Sequence, residues 1–190
     1  MPLVQIKTIE SDIFQKLEGL ANDFLATTPG LSAIKIICDD FIILANGNQI
    51  HNFTCLYGIR GEDLQPKRIK LLMRDSVIDL EAAINAALIT LGEANNCDFI
   101  QRFDAILDNG NKYYCCCIIY EASDYPDTPA TVKIIEKDNI GALEKAVNDY
   151  LTYLNSIPKD LVLDMILRQE IILANGNKSY ICTIIYGTSK

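Results

Sequence analysis

One turn is written three times in this chain. The stretches "FIILANGNQIHNF", "DAILDNGNKYYCC" and "EIILANGNKSYIC" place Asn46-Gly47, Asn109-Gly110 and Asn175-Gly176 at successive offsets of 63 and 66 residues. The 63-residue offset also recovers "LEGLANDFL" from Leu17, "LEAAINAAL" from Leu80 and "LEKAVNDYL" from Leu143. Ahead of each lies a short apolar stretch holding Ile6-Lys7, Ile69-Lys70 or Val132-Lys133. Three kinds of element recurring in one order are internal repeats, and they tie the fold of each part to that of the others.

The patterns within one repeat predict strand, helix, strand, turn, strand. Ile13, Phe14, Leu17, Leu20, Ala21, Phe24 and Leu25 share a stripe at helical spacing, as do Ile140, Leu143, Val147, Tyr150, Leu151 and Leu154. Ser11 is expected to cap the first helix and Asp138 or Asn139 the third. Pro29-Gly30 and Pro158 stand where helices should stop. Asn-Gly suits a two-residue type I′ hairpin, since both turn residues need positive φ. That turn sets a register: Ala45 against Asn48, Ile42 against His51, Cys38 against Cys55 and Ile36 against Tyr57. It further sets Phe103 against Cys116, Phe99 against Tyr120, Leu167 against Ile184 and Met165 against Tyr186. The expected fold is α+β: three tandem βαββ repeats over 1–60, 66–122 and 130–190, each a three-stranded sheet packed on one long helix, joined as a fused pseudo-trimer. About 60 residues is marginal for a domain alone, so the repeats are expected to share burial in one compact assembly.

The strand-helix-strand-turn-strand order, with its long amphipathic helix and closing hairpin, resembles the dodecins. Those are small flavin-binding proteins whose sheet wraps one helix and whose subunits assemble around threefold axes. Dodecins stack flavin on a tryptophan, and this chain has no Trp, so flavin binding is not carried over. The pieces "VNDYL" with "CTIIYG", and "INAAL" with "CCIIYE", are similar to the short acidic sporulation-protein family of spore-forming bacteria. That resemblance transfers no active site.

Composition narrows the function. The 190 residues carry a net charge of −8, which disfavours contact with a phosphate backbone, so no nucleic-acid partner is expected. No apolar run reaches the roughly 18–20 residues of a membrane span, and "MPLVQIKTIE" lacks a secretion signal, so a cytoplasmic location is expected. Seven cysteines, an odd number without a C-x-x-C pair, read as small apolar core residues. Neighbouring Cys115, Cys116 and Cys117 point to alternate faces of a strand and cannot grip one metal. A disulfide between Cys38 and Cys55 is geometrically conceivable, but the expected compartment argues against it.

The second face of the sheets is expected to carry Arg102 beside Asp104, and Arg168 beside Glu170, opposite Cys115, Cys117 and Ile119 or Ile181, Thr183 and Ile185. So many apolar residues imply a face half covered by other repeats or by a partner. Each arginine is either an anchor for an anionic ligand or the ion-pair partner of its acid. Lys7, Lys70 and Lys133 either gather round a pseudo-threefold axis to hold an anion or guard sheet edges. Tyr57, Tyr120 and Tyr186 either pack on the helices or form a ligand cage. The one histidine, His51, stands beside a turn in the first repeat only, with Cys55 four residues along the strand and too distant for direct contact, and Asp39-Asp40 are consecutive and face apart. "LANGN" joins strands and lacks the ending of a phosphate loop. No catalytic residue, metal or cofactor is expected. The expected role is a non-enzymatic binding and assembly protein that holds a small anionic molecule or a protein partner on sheet faces or between repeats. One form of it sequesters a nucleotide-like signal. The alternatives are a purely structural scaffold that forms homo-oligomers and a small-molecule enzyme.

Overall fold

Apolar strands and amphipathic helices alternate in the order β1 (Val4–Ser11), α1 (Phe14–Thr27), β2 (Leu31–Ile37), β3 (Phe41–Ile43) and β4 (Gln49–Ile59). There follow β5 (Arg68–Arg74), α2 (Val77–Gly92), β6 (Asn95–Ile106), β7 (Lys112–Ala122), β8 (Thr131–Lys137), α3 (Ile140–Ser156), β9 (Leu161–Ile172) and β10 (Lys178–Thr188). This is a computed structural model that describes residues 4–28, 31–37, 41–43, 49–59, 67–92, 95–106, 112–123, 130–157, 161–172 and 176–188. Cys38, Asp39, Asp40, Asn46, Gly47, Asn109, Gly110, Asn175, Pro29, Gly30 and Pro158 lie outside the described residues.

The expectation of three tandem βαββ repeats, each a three-stranded sheet on its own helix in a fused pseudo-trimer, is overturned. The described residues are α+β, with three helices among three small antiparallel sheets and more strand than helix. The first sheet has four strands, ordered β1-β4-β2 with β3 also pairing β4; the others run β5-β7-β6 and β8-β10-β9. α1 and α2 are each shared between two sheets, and α3 packs on the third sheet. Phe14, Leu17, Ala21 and Leu25 of α1 share one buried cluster with Phe53 and Cys55 of β4 and with Ile69, Leu71, Cys115, Cys117 and Ile119 of the second sheet. Leu80, Ile84 and Leu88 of α2 share a second cluster with Leu72, Cys116 and Ile118 on the opposite face of that sheet, and with Val132, Ile134, Ile181 and Ile185 of the third. Leu143 of α3 closes a third cluster on Cys182 and Ile184. The result is an open stack of alternating sheet and helix layers, with the first sheet at one end and α3 at the other.

This stacking explains the central strands. Both faces of β7 and β10 are covered, which favours continuous apolar runs such as "CCCII" over alternation. Of the six cysteines among the described residues, five are buried and Cys97 is half-buried. Cys115 and Cys117 turn to α1 while Cys116 turns to α2, as strand geometry requires.

The hairpin register departs from expectation by one residue at every turn. The observed partners are Phe41↔His51, Phe103↔Cys115, Phe99↔Ile119, Leu167↔Thr183 and Met165↔Ile185, and further from the first turn Ile36↔Cys55 lies two residues from its expected partner. The last pairs are Ile43↔Gln49, Ile106↔Lys112 and Ile172↔Lys178, leaving five residues (44–48, 107–111 and 173–177) between them. An odd connection cannot be a two-residue type I′ turn, and Gly176, at φ +80°, supplies the left-handed residue a longer loop needs. Bulges between Ala33 and Lys35, Cys97 and Phe99, and Ile185 and Tyr186 shift the pairing again further along.

Helix starts differ as well. Ser11 does not cap α1; its Oγ accepts from the Ile13 N–H at 3.1 Å and donates to the Ile13 carbonyl at 2.9 Å. Asn139 does cap α3, its Oδ1 accepting from the Ala142 N–H at 2.7 Å. Ser76 starts α2, its Oγ accepting from the Asp79 N–H at 3.1 Å and donating to the Asp79 carboxylate at 2.6 Å.

The stack makes equivalent leucines unequal. Leu88 of α2 is fully buried between two sheets, whereas Leu151 of α3, 63 residues on, is half-buried at the end. Leu88→Ala is expected to cost about 3–5 kcal/mol and Leu151→Ala clearly less, because the end position leaves a smaller cavity. Urea unfolding of the two variants checks the difference.

Candidate functional site

Two places stand out: a cleft beside the start of α2, and the two ends of the stack. The cleft has a volume of about 530 Å³ and is lined by Asp75, Ser76, Val77 and Ile78, by Tyr114 of β7, and by residues 133–137 of β8. Its polar centre is Glu136. That carboxylate accepts from Lys112 Nζ at 3.0 Å, from the Tyr114 hydroxyl at 3.0 and 3.1 Å, and from the Ser179 hydroxyl. Burial by itself would raise the Glu136 pKa; the donated bonds and the Lys112 charge outweigh it and hold the carboxyl below its ordinary range. Glu136 is thus a charged brace tying β7 and β10 to β8. It accepts hydrogen bonds from both the Tyr114 and the Ser179 hydroxyl. The chain's histidine is elsewhere: His51 is buried in the first sheet, its ring edge-on to Phe14 at 5.1 Å, and burial lowers its pKa.

The residues singled out from sequence are spread over the layers. Lys70 Nζ donates to Glu18 Oε1 of α1 at 3.0 Å, and Lys133 Nζ donates to Glu81 Oε1 of α2 at 2.9 Å. Lys133 also lies 6.0 Å from the Tyr150 ring centroid. Lys7 is exposed on β1, 6.0 Å from the Phe24 ring centroid. The three lysines therefore stand one per sheet and do not converge. Nor do the tyrosines. Tyr57 is buried and donates to Gln5 Oε1 at 2.7 Å, Tyr120 is half-buried on β7, and the Tyr186 hydroxyl meets that of Tyr150 at 2.8 Å. Burial, then this contact with Tyr186, raises the Tyr150 pKa.

The one-residue slip also moves the arginines. Arg102 pairs with Cys116 and Asp104 with Tyr114, on the α2 face rather than the face of Cys115 and Cys117; the Arg102 and Asp104 side chains lie outside the described residues. Arg168 pairs with Cys182 and Glu170 with Tyr180, on the α3 face. The Arg168 guanidinium lies over the Tyr180 ring at 5.9 Å and 3.9 Å from Glu170, and Lys178 Nζ sits 2.6 Å from the same carboxylate. The ion-pair alternative matches this geometry for Arg168.

The ends of the stack are the second place. Val4 and Ile6 of β1 are exposed on the outer face of the first sheet, and Ile140 and Tyr153 are exposed on α3. Sequence reading placed Ile6 in the recurring first strand and Ile140 in an apolar helical stripe, and proposed none of the four as a contact surface. The signal was available only by comparison, since the positions equivalent to Ile6 are Ile69 and Val132, both buried.

No helix among the described residues is long and apolar enough to cross a membrane. Comparison with protein families, with curated proteins and with solved structures finds no match to this chain.

The Glu136 brace makes a pH prediction. Unfolded, the carboxyl returns to its ordinary value of 4.5; folded, it lies lower. The unfolded chain therefore binds the extra proton, and the brace's contribution, complete above pH 4.5, is lost as pH falls through the folded value. Glu136→Gln is expected to lower the urea midpoint at pH 7 and to flatten its fall below pH 4.5, read from unfolding curves in an acid series.

Proposed function

We propose that this chain is a non-enzymatic binding and assembly protein that works through the ends of its stack. The observation that carries this reading is the contrast between inner and outer layers. The same kinds of face are buried wherever the chain supplies a neighbour, and are exposed at both ends. Exposed apolar groups that recur at structurally equivalent buried positions point to a covering partner. The cleft supports a smaller role for a small anionic molecule, since Lys133 and Lys137 line it next to the start of α2. Its carboxylate and hydroxyls are committed to one another, which favours holding a molecule over transforming one.

Light scattering behind size-exclusion chromatography tests assembly, and a thermal-shift panel of nucleotides, flavin mononucleotide and acyl-CoA tests holding. The expected outcome is a mass that rises above 21.2 kDa with concentration. A constant 21.2 kDa together with no shift from any member of the panel would remove the reading.

A further inference from the structure

We infer that copies of this chain associate head to tail, α3 of one docking on the β1 edge of the next. This rests on the assembly reading above and names its partner: a second copy. The contact is one the chain already makes twice internally. In the first instance Asn22 of α1 grips the free edge of β5 through both amide atoms. Its Nδ2 donates to the Ile69 carbonyl at 2.9 Å, and its Oδ1 accepts from the Ile69 N–H at 2.8 Å. One turn earlier, Glu18 Oε2 accepts from the Leu71 N–H at 2.7 Å while Oε1 takes Lys70 Nζ. In the second instance Asn85 of α2 grips Val132 at 2.9 and 2.7 Å, and Glu81 takes the Ile134 N–H at 2.6 Å and Lys133 Nζ at 2.9 Å.

The third copy of each half is present and unused. Another 63 residues on, α3 carries Glu144 and Asn148, both exposed, and no partner for either side chain is found among the described residues. Leu143 beside them is buried as Leu17 and Leu80 are, so α3 sits on its own sheet in the same rotation and turns this pair outward. At the other end, Ile6↔Leu56 occupies the rung that Ile69↔Ile119 and Val132↔Ile185 occupy in the other sheets. The Ile6 N–H and C=O therefore point to the free edge, as those of Ile69 and Val132 do. Lys7 matches Lys70 and Lys133 but has no carboxylate within salt-bridge distance among the described residues. Exposure tells the same story: Ile6 is 68% exposed against 0% for Ile69 and 1% for Val132, and Ile140 is 46% exposed against 3% for Phe14.

Each copy thus carries a socket and a plug of the kind that joins its own layers. Docking would give Asn148 the Ile6 backbone, and give Glu144 the Thr8 N–H and Lys7 Nζ. Because the two surfaces differ, the contact is heterologous and extends to rings or filaments according to whether its rotation closes. It should be weaker than the internal joints. Asn52, Thr8 and Thr54 stand on the outer face where Cys115, Leu71 and Cys117 stand in the second sheet, so less apolar surface is buried.

Complementation tests the inference. A plug-blocked variant, Glu144→Lys with Asn148→Ala, keeps an intact β1 edge. A socket-blocked variant, Ile6→Lys with Lys7→Glu, keeps an intact α3. All four positions are exposed, so both variants should unfold in urea at the wild-type midpoint. Each alone is expected to stay at 21.2 kDa, and their equimolar mixture to form a pair of about 42 kDa, twice the chain, and nothing larger. The single change Asn148→Ala should weaken wild-type association at least tenfold, and serves if a double variant does not fold. Wild-type association that neither variant reduces would overturn the inference while leaving assembly standing. A mixture that does not pair would overturn head-to-tail docking in favour of a symmetric contact. A wild-type chain that is monomeric throughout would overturn the inference, and the ligand panel would then decide the broader reading by itself.

Discussion

A strand at the edge of a sheet presents backbone donors and acceptors that must be satisfied or kept in water, and the way this chain satisfies them organises everything else. A helix laid across a strand edge cannot offer its own backbone, which is spent along its axis. It can offer side chains four residues apart, which project from the same face. Glu18 with Asn22, and Glu81 with Asn85, do so for β5 and β8. Each neutral bond of this kind contributes about 1 kcal/mol net, and those to the carboxylate somewhat more. Their larger effect is directional. They fix where along the strand the helix lies and hold it between two sheets, so that Leu17 and Leu80 are buried from both sides.

From that arrangement the composition of the core follows. β7 and β10 are covered on both faces, and residues of the second sheet belong to two separate clusters according to their parity. Small thiols suit such a strand, because helices close on it from both sides and leave little room. The Glu136 brace belongs to the same economy of layers, since it joins β7 and β10 to β8 where the lining of the cleft is polar. On the proposed reading, the protein's surfaces of consequence are the two at which the layering stops.

Much of the local structure was legible in the chain. The stripe containing Leu17, Ala21 and Leu25 is the buried side of α1, and Asn139 caps α3 as its position predicts. The apolar second face, with Cys115, Cys117 and Ile119, is covered from within the chain, as its composition implied. The register was not legible. Asn-Gly signals a tight turn, but the loops are five residues long, and a slip of one residue moves a whole strand to the other face. This is why Arg168 lies over Tyr180 and not among Ile181, Thr183 and Ile185. The edge contact was missed although its letters were in view. Leu-Glu followed by Asn four residues after the Glu occurs at Leu17, Leu80 and Leu143, on the polar side of each helix. A search for apolar periodicity passes over such a pair, because a polar side facing water and a polar side facing a strand edge look alike.

The sequence by itself determined where apolar helices and strands form, such as the stripe of α1 and the apolar run of β7, because hydrophobic period and chain punctuation act over a few neighbouring residues. Only the tertiary structure decided that α1 and α2 each serve two sheets, and that the outer side of the third helix and the edge of the first strand are left over. Those outcomes depend on which surfaces meet across 47 to 53 residues of chain, and that is settled by complementary edges and faces. Recurring local patterns, such as Leu-Glu with Asn four residues on at Asn85 and Asn148, carry no mark of which one has a neighbour.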